Sequence, residues 1–464
     1  MSKPLVFKFG GTSVASPPAI EAVVNIVAAA EGERVVVVSA TAGTTDALVK
    51  AAEQAASGDA SAAQQTIERL SEQHRNLIAD LVGVNGASAL AEIVDLTDRT
   101  IALLRSVALL RECTPRSLDA ILSYGERVSA PIVAAVLNAK GVKAEALSAE
   151  ELLITDDAFG HANPLLEQTR ERVEKQLVPR MRYGTVPVVT GFVGSTVDGV
   201  TTTLGRGGSD YSAAVFAAAL GASECRIFTD VSGVMSADPR TVPDAKPLPA
   251  ISYAEAAELS YFGAKVIHPR TVLPAIEAGI PVRILNTFAP DDPGTTITAT
   301  TPRDNTVVKA TTSLGGLGLV TVQGAGMSGV PGFAARVFDT TAAEQVSVLM
   351  ISQASSENSI CLVVPSESIK RLDGALRKMF SKELARHDVE RVAIDSPVAI
   401  VSAVGEGMRG TPGVAARLFG ALGRAEVNVI AIAQGSSELN ISLVVGEKDR
   451  ETAVRAIHRE FHEG

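Results

Sequence analysis

The stretch Pro4-Leu5-Val6-Phe7-Lys8-Phe9-Gly10-Gly11-Thr12-Ser13, with a helical run over Ala19–Ala30 and then Arg34-Val35-Val36-Val37-Val38-Ser39, sets the architecture. Pro4 to Phe9 reads as a buried strand that runs into two glycines. Ser16-Pro17 supplies a cap and a first-turn proline for the helix. The second strand is valine-rich on both faces, as strands of a parallel sheet are. Strand, glycine turn, helix and strand form a βαβ unit, and the turn is a shape that favours phosphate. It is neither the P-loop pattern nor a G-x-G-x-x-G, so generic motif matching says little. Lys8 either points a cation near these glycines or snorkels at a strand end; the glycines favour the cation.

Working outward, strands alternate with helices as far as Leu285, which predicts a three-layer α/β domain of roughly 285 residues with a mainly parallel sheet. Its glycines and charges collect at strand carboxyl ends, where open α/β sheets bind ligands. From Thr45 to about Cys113 the chain is Ala-rich and helix-forming, broken at Ser57-Gly58 and Gly83–Gly86, and reads as a helical insert or lid. Ser123-Tyr124-Gly125-Glu126-Arg127 leads into another helix; there Glu126 binds a substrate amine or complements the helix dipole, and the residues alone leave both open. Gly191–Gly199 reads as a hairpin entering Thr201-Thr202-Thr203-Leu204-Gly205-Arg206-Gly207-Gly208-Ser209-Asp210. This is a glycine turn opening an Ala-rich helix, with Ser209 or Asp210 as its cap and Arg206 as a fork for carboxylate or phosphate. Two glycine turns with several cations and no Ser-His or Cys-His pair fit phosphoryl transfer, in which positioning and charge neutralisation do most of the work.

Composition narrows the classes. The chain has 464 residues, 46% apolar and 20% charged, with net charge −10 and no long basic run, which argues against nucleic acid and anionic membranes as partners. Trp is absent, so the core is aliphatic. Cys113, Cys225 and Cys361 are isolated, which excludes a disulfide framework or Cys-x-x-Cys metal site and fits a reducing cytoplasm. The six histidines read as surface or structural, and no metal-ligand set is expected. No signal peptide and no run of 18 apolar residues is evident, so a soluble, cytoplasmic protein is expected.

Beyond a linker rich in Pro, Asp and Thr lies an internal repeat. Gly324-Ala325-Gly326-Met327 through Phe338 matches Gly405-Glu406-Gly407-Met408 through Phe419, and Gln353-Ala354-Ser355-Ser356-Glu357 matches Gln434-Gly435-Ser436-Ser437-Glu438, both at a spacing of 81 residues. Each copy contains G-x-G-x-x-G after a strand, yet the next strands end in Gln353 and Gln434 rather than an acidic residue, which argues against dinucleotide binding. Each copy reads β-α-β-β, half of a ferredoxin-like module, and a tandem pair suggests ligand sensing.

Lys8-Phe9-Gly10-Gly11-Thr12-Ser13 together with Thr203-Leu204-Gly205-Arg206-Gly207-Gly208-Ser209-Asp210 resembles the aspartate kinases of the amino-acid kinase superfamily. Phe228-Thr229-Asp230-Val231 through Asp238-Pro239-Arg240, and Phe262-Gly263-Ala264-Lys265-Val266-Ile267-His268-Pro269, look like that family's nucleotide segments, and the repeat resembles its paired ACT regulatory domains. The resemblance implies a kinase domain over residues 1–288, a linker over 289–316 and ACT modules over 317–390 and 391–464. It also implies ATP-dependent phosphorylation of the L-aspartate side chain to 4-phospho-L-aspartate, with Mg²⁺ accompanying the nucleotide. By the same resemblance Lys8 and Asp210 are catalytic, Glu126 holds the α-amino group and Arg206 the α-carboxylate, with Ser39, Thr45 and Ser209 nearby. Lys8, Phe9, Gly10, Gly11, Thr229, Asp230, Met235, Arg240, Lys265 and Val266 line the ATP site, Met235 standing where the family usually has Tyr. Gln353 and Gln434 resemble a threonine-sensing pattern; threonine is the expected inhibitor and lysine the next, with a homodimer through the ACT modules. Lacking a dehydrogenase segment after Gly464, the chain reads as monofunctional or as a fragment. The competing readings are another amino-acid kinase (acetylglutamate, glutamate or uridylate) and a non-catalytic sensor.

Overall fold

The computed structural model describes residues 3–263, 267–301 and 306–463. The chain opens with β1 (Leu5–Phe9), α1 (Pro17–Ala29) and β2 (Arg34–Val38), then the helices α2 (Thr44–Ala56), α3 (Ala60–Val82), α4 (Ala87–Leu110), α5 (Pro115–Leu122) and α6 (Tyr124–Ala139). Next come β3 (Ala144–Leu147), β4 (Ile154–Thr155), α7 (Leu166–Arg182), β5 (Val186–Thr190), β6 (Val193–Thr196), β7 (Thr201–Thr203), α8 (Gly208–Leu220) and β8 (Glu224–Thr229). After them follow β9 (Ala250–Ser252), α9 (Tyr253–Tyr261), α10 (Pro269–Glu277), β10 (Val282–Asn286) and β11 (Thr295–Thr298). Two compact units result: Met1–Val234, Pro249–Tyr253 and Val266–Thr301 form the first; Met235–Leu248, Ala254–Lys265 and Pro302–Gly464 form the second.

The first unit is built on an eight-stranded sheet in the order β3-β5-β2-β1-β8-β10-β11-β9. Every neighbouring pair is parallel except β10 with β11. Strand alternation sends Phe7 and Phe9 to the face packed by α1 and α6, with Val36, Val38 and Val188. Val6 and Lys8 therefore point to the opposite face, where α8 packs on β1. Phe9 stacks on Phe228 at 4.8 Å between ring centroids, a contact that favours this register by about 0.5–1.5 kcal/mol beyond its burial. The helical insert breaks where expected, at Ser57-Gly58 and Gly83–Gly86, but it is no lid: Leu48, Ile67 and Ile93 are fully buried in the same core as β1 and β2.

One local expectation fails. Neither Ser209 nor Asp210 caps α8; Gly207 holds the cap position in a left-handed conformation (φ 73°) and no side chain bonds there. The glycine makes the corner without a side-chain cap, so Ser209 and Asp210 enter the first turn and are available to other partners. Residues 289–316, expected as a linker, contain β11, which adds to the main sheet, and the start of the next strand.

The second unit carries the repeat: β12 (Ala310–Gln323), α11 (Phe333–Ala343), β13 (Met350–Gln353), β14 (Ser359–Pro365), α12 (Ile369–Met379) and α13 (Ser381–Arg386), then β15 (Arg391–Val404), α14 (Val414–Arg424), β16 (Ala431–Gln434), β17 (Asn440–Gly446) and α15 (Arg450–His462). Each copy thus extends the expected β-α-β-β with a closing helix. All six strands form one antiparallel sheet in the order β13-β14-β12-β15-β17-β16. β12 and β15 are long enough to serve both copies: Ala310–Leu314 pairs with Val404–Ile400, and Leu319–Gln323 with Asp395–Arg391. His458 and His462, four residues apart on α15, stack at 4.4 Å, and the His458 Nε2 lies 2.9 Å from the Ser236 hydroxyl. Burial lowers both pKa values, that of His462 to about 4, so this pair is a neutral packing element.

Candidate active site

Three strand ends are laced together where the glycine turn follows β1. The Gly10 N–H donates to Phe228 O (3.0 Å) and the Ser39 N–H to Phe9 O (3.1 Å), joining the carboxyl ends of β1, β2 and β8. A cleft of about 540 Å³ opens there. Lys8, Gly11, Ser39, Thr45, Glu126, Arg206, Ser209 and Asp210 all line it, from four separate parts of the sequence. Lys8, on the α8 face of β1, places Nζ 2.6 Å from Asp210 Oδ1, and both side chains are largely buried.

Glu126 stands in the first turn of α6, as the dipole reading requires, yet its carboxyl group faces the cleft. Gly125 allows this approach, since a Cβ there would sit 2.6 Å from the Ala40 Cβ. Glu126 is 4% exposed and its Oε2 has no hydrogen-bond partner. Burial, the dominant influence, raises its pKa from 4.5 to about 8, opposed by backbone N–H groups of Ala40 and Glu126 and by Lys8. The group is therefore mainly neutral at pH 7 and would ionise when a cation reached Oε2. Arg206 lies at the other side of the polarity, exposed in the glycine turn, with no hydrogen-bond or ion-pair partner among the described residues. One cleft thus offers a carboxyl that lacks a cation and a guanidinium that lacks an anion.

The residues expected on the nucleotide side fare unevenly. Gly11 lines the cleft, whereas the Phe9 side chain is fully buried on the opposite face of β1 and does not reach it. Thr229 ends β8 and its hydroxyl donates to Asp230 Oδ1 at 3.1 Å. Met235 and Arg240 belong to the second unit; Met235 bridges to Pro247, and Arg240 forks onto Asp238 at 2.6 and 3.0 Å. That fork is the main reason the Asp238 pKa is lowered. Lys265 and Val266 lie outside the described residues.

Residues 3–286 match the amino acid kinase family, and residues 320–380 and 401–461 each match the ACT domain. The chain is 37% identical over 465 residues to the chloroplastic bifunctional aspartokinase/homoserine dehydrogenase 1 of Arabidopsis thaliana, covering 98% of this chain and 51% of that protein. It superposes on the crystal structure of E. coli aspartokinase III in complex with lysine and aspartate (T-state) with a TM-score of 0.82 and 33% identity, covering 99% of this chain and all of the other. The chain belongs to the aspartokinases. A second structure of E. coli aspartokinase III, in complex with aspartate and ADP (R-state), matches with a TM-score of 0.79 and 32% identity over 99% of both chains. The chain spans about half the length of the bifunctional relatives it matches.

Two further residues line the cleft without belonging to any motif, Asp119 and Phe192. Asp119, fully buried on α5, accepts from the Thr203 N–H (3.0 Å), the Thr203 hydroxyl (2.6 Å) and the Gly160 N–H (2.9 Å). It thereby ties α5 to the strand that leads into Arg206. Phe192, also at the cleft, holds a left-handed backbone (φ 64°) unusual for a bulky residue, and its N–H donates to the Ser212 hydroxyl at 3.0 Å. Neither has a signature in the chain: Asp119 sits in an ordinary helix and Phe192 in a hairpin.

In the second unit a cavity of about 340 Å³ lies beside the glycine turn of the first copy, lined by Gly329, Gly332, Phe333, Gln353 and Glu357. Glu357 Oε2 accepts from the Gly329 N–H at 2.9 Å, and its repeat partner Glu438 accepts from the Gly410 N–H at 2.7 Å. Both glutamates have left-handed backbones (φ 58° and 56°). Gln353 and Gln434 end their strands exposed.

Proposed function

We propose that this chain transfers the γ-phosphoryl group of ATP to the side-chain carboxylate of L-aspartate, giving 4-phospho-L-aspartate and ADP, and so opens the route to lysine, threonine and methionine. The observation that carries this reading is the paired vacancy of charge in one cleft. The partnerless Glu126 Oε2 suits an ammonium group and the partnerless Arg206 fork suits a carboxylate, so the ligand that answers both is a free α-amino acid. Lys8 and Asp210 stand in the same cleft for the phosphoryl end.

A side-chain carboxylate is ionised near pH 7, so it attacks phosphorus without losing a proton, and no general base is needed. A P–O bond forms to the carboxylate as the bond to the ADP oxygen breaks. Lys8 neutralises charge on the transferring group, and Asp210 holds the ammonium in place. Ser39, Thr45 and Ser209 complete the aspartate pocket, with Gly10 and Gly11 against phosphate. Thr229, Asp230, Met235, Arg240, Lys265 and Val266 serve ATP, and Phe9 serves it only through its backbone.

Among the described residues no group of three or more His, Cys, Asp or Glu forms a metal-ligating set. Asp210 is the acidic group beside Lys8, and Mg²⁺ that takes most ligands from phosphates and water fits such a site. Mg²⁺ supplies charge neutralisation of the phosphates when bound.

The kinase domain is assigned to residues 1–288 with β11 added to its sheet, and the two sensing modules to the repeat. Gln353 and Gln434 are assigned to an amino-acid effector, threonine first and lysine second, since an amide donates and accepts at once. A homodimer through these modules and a cytoplasmic setting complete the reading. The test is ADP release with L-aspartate, glutamate, N-acetylglutamate and UMP. Aspartate alone should support turnover; N-acetylglutamate lacks the ammonium Glu126 needs. Activity with any other acceptor and none with aspartate would overturn the assignment.

A further inference from the structure

His74 is 1% exposed in the middle of α3, in the helical insert that carries no motif. Its Nδ1 lies 2.6 Å from Leu70 O, which only accepts, so Nδ1 carries the proton. Nε2 is then the acceptor, and the Thr41 hydroxyl 3.0 Å away donates to it. With its proton committed, Thr41 Oγ1 accepts from the Thr44 hydroxyl at 2.6 Å. The chain of bonds has one direction, from Thr44 through Thr41 and His74 to Leu70 O. Burial favours the neutral ring this needs, lowering the pKa of His74 to about 4.

Of these two hydroxyl residues, Thr41 belongs to the wall of the cleft and Thr44 is buried beside it. Thr41, Ala42, Gly43 and Thr45 line it between the end of β2 and α2, and Gly43 turns the backbone through a left-handed conformation (φ 80°). The His74 ring also makes a T-shaped contact with the ring of Tyr124, two residues before Glu126, with 6.3 Å between centroids. Tyr124 is itself fixed, with its hydroxyl 3.2 Å from Thr97 Oγ1.

We propose that His74 is a positioning residue of the substrate pocket, holding the 39–45 wall and the start of α6 in register so that Thr45 and Glu126 face the same bound amino acid. The inference rests on the aspartate kinase reading for the identity of that amino acid. It gives the insert a task in binding rather than in covering the site.

The test compares His74→Leu, His74→Gln, Thr41→Val and the Leu/Val double variant in the full chain. Removing the acceptor or the hydroxyl should raise KM for aspartate about tenfold and leave KM for ATP within about twofold. His74→Gln, whose amide oxygen still accepts from Thr41, should recover most of the loss. The double variant should be no worse than the worse single one, because both cut the same chain of bonds. Equal rises in both KM values, full additivity, or no change in Thr41→Val would overturn the proposal; Thr41→Val serves even where His74→Leu does not fold. If the wild-type chain does not phosphorylate aspartate, the functional reading falls separately. Amide exchange over residues 39–45 then decides, faster in Thr41→Val if the proposal holds and unchanged if it does not.

Discussion

Lys8 Nζ and Asp210 Oδ1 lie 2.6 Å apart across the face between β1 and α8, two residues 202 positions apart that strand alternation and a glycine corner bring together. The glycine cap at Gly207 matters to this pair, because a side-chain cap by Asp210 would have turned its carboxylate away. Lys8→Ala should lower kcat by about 10²–10³, the scale for removing one preorganised charge at the transferring group. Asp210→Asn should lower it less, since the lysine remains but its direction is no longer fixed. Coupled ADP-release kinetics with saturating aspartate measure both. Equal activity of Lys8→Ala and wild type would remove Lys8 from the chemistry.

On the proposed reading, Glu126 makes aspartate binding a proton-linked event. Burial raises its pKa to about 8, so at pH 7 the carboxyl is mostly protonated. An incoming ammonium group favours the ionised form, and the proton must leave. Calorimetry in buffers of different ionisation enthalpy should therefore report release of nearly one proton per aspartate at pH 7, falling toward zero by pH 9. The affinity for aspartate should rise over the same interval. A binding enthalpy independent of buffer at pH 7 would contradict this assignment.

The same group predicts a stability cost. Its folded pKa, about 8, is raised above the ordinary 4.5, so the folded state holds its proton more tightly than the unfolded one. The stability this supplies is complete below about 4.5 and is lost as pH rises through about 8. Glu126→Gln, which stays neutral, should melt increasingly higher than wild type between pH 5 and 9 while losing aspartate affinity. Thermal midpoints across that range decide the matter.

Asp119 is a structural prediction beside the chemical ones. It accepts three hydrogen bonds inside the protein, and Asp119→Ala would strand the Thr203 and Gly160 donors. Stranded buried donors cost about 1–3 kcal/mol each, so a loss of several kcal/mol is expected in denaturant unfolding. Because Thr203 leads into Arg206, KM for aspartate should rise more than KM for ATP in any fraction that folds.

These outcomes mark what the sequence could and could not reveal. The parallel sheet was legible because βαβ periodicity and valine-rich strands are local signals, and the 81-residue spacing exposed the repeat without any structure. Lys8, Arg206 and Asp210 were legible because glycine turns flag strand ends, whereas Glu126 follows helix α5 and the residues alone left its dipole reading equally open. The direction of the Phe9 side chain, away from the cleft, was not legible, since motif membership does not say to which face of β1 a side chain points. Asp119 and His74 carry no local signature; their role lies in partners 84 and 33 residues away. The start of α8 was misread because glycine and Ser-Asp are both good helix openers, and only the backbone angle of Gly207 separates them.

The repeat supplies the remaining prediction. Glu357 and Glu438 hold their glycine turns by the same backbone bond, to Gly329 and Gly410, so each copy presents a turn whose shape depends on one carboxylate. In the first copy that turn and Gln353 line one cavity of about 340 Å³. Glu357→Gln keeps an oxygen for the Gly329 N–H and should retain effector binding, whereas Glu357→Ala frees the turn and should weaken it. Gln353→Ala removes the amide directly and should weaken it further. Calorimetry with threonine, and with lysine as the second ligand, on the full-length variants separates these effects, and none should alter kcat without effector. Undiminished binding of both amino acids in Gln353→Ala would take this cavity out of the sensing site and leave the Gln434 side of the repeat as the place to look.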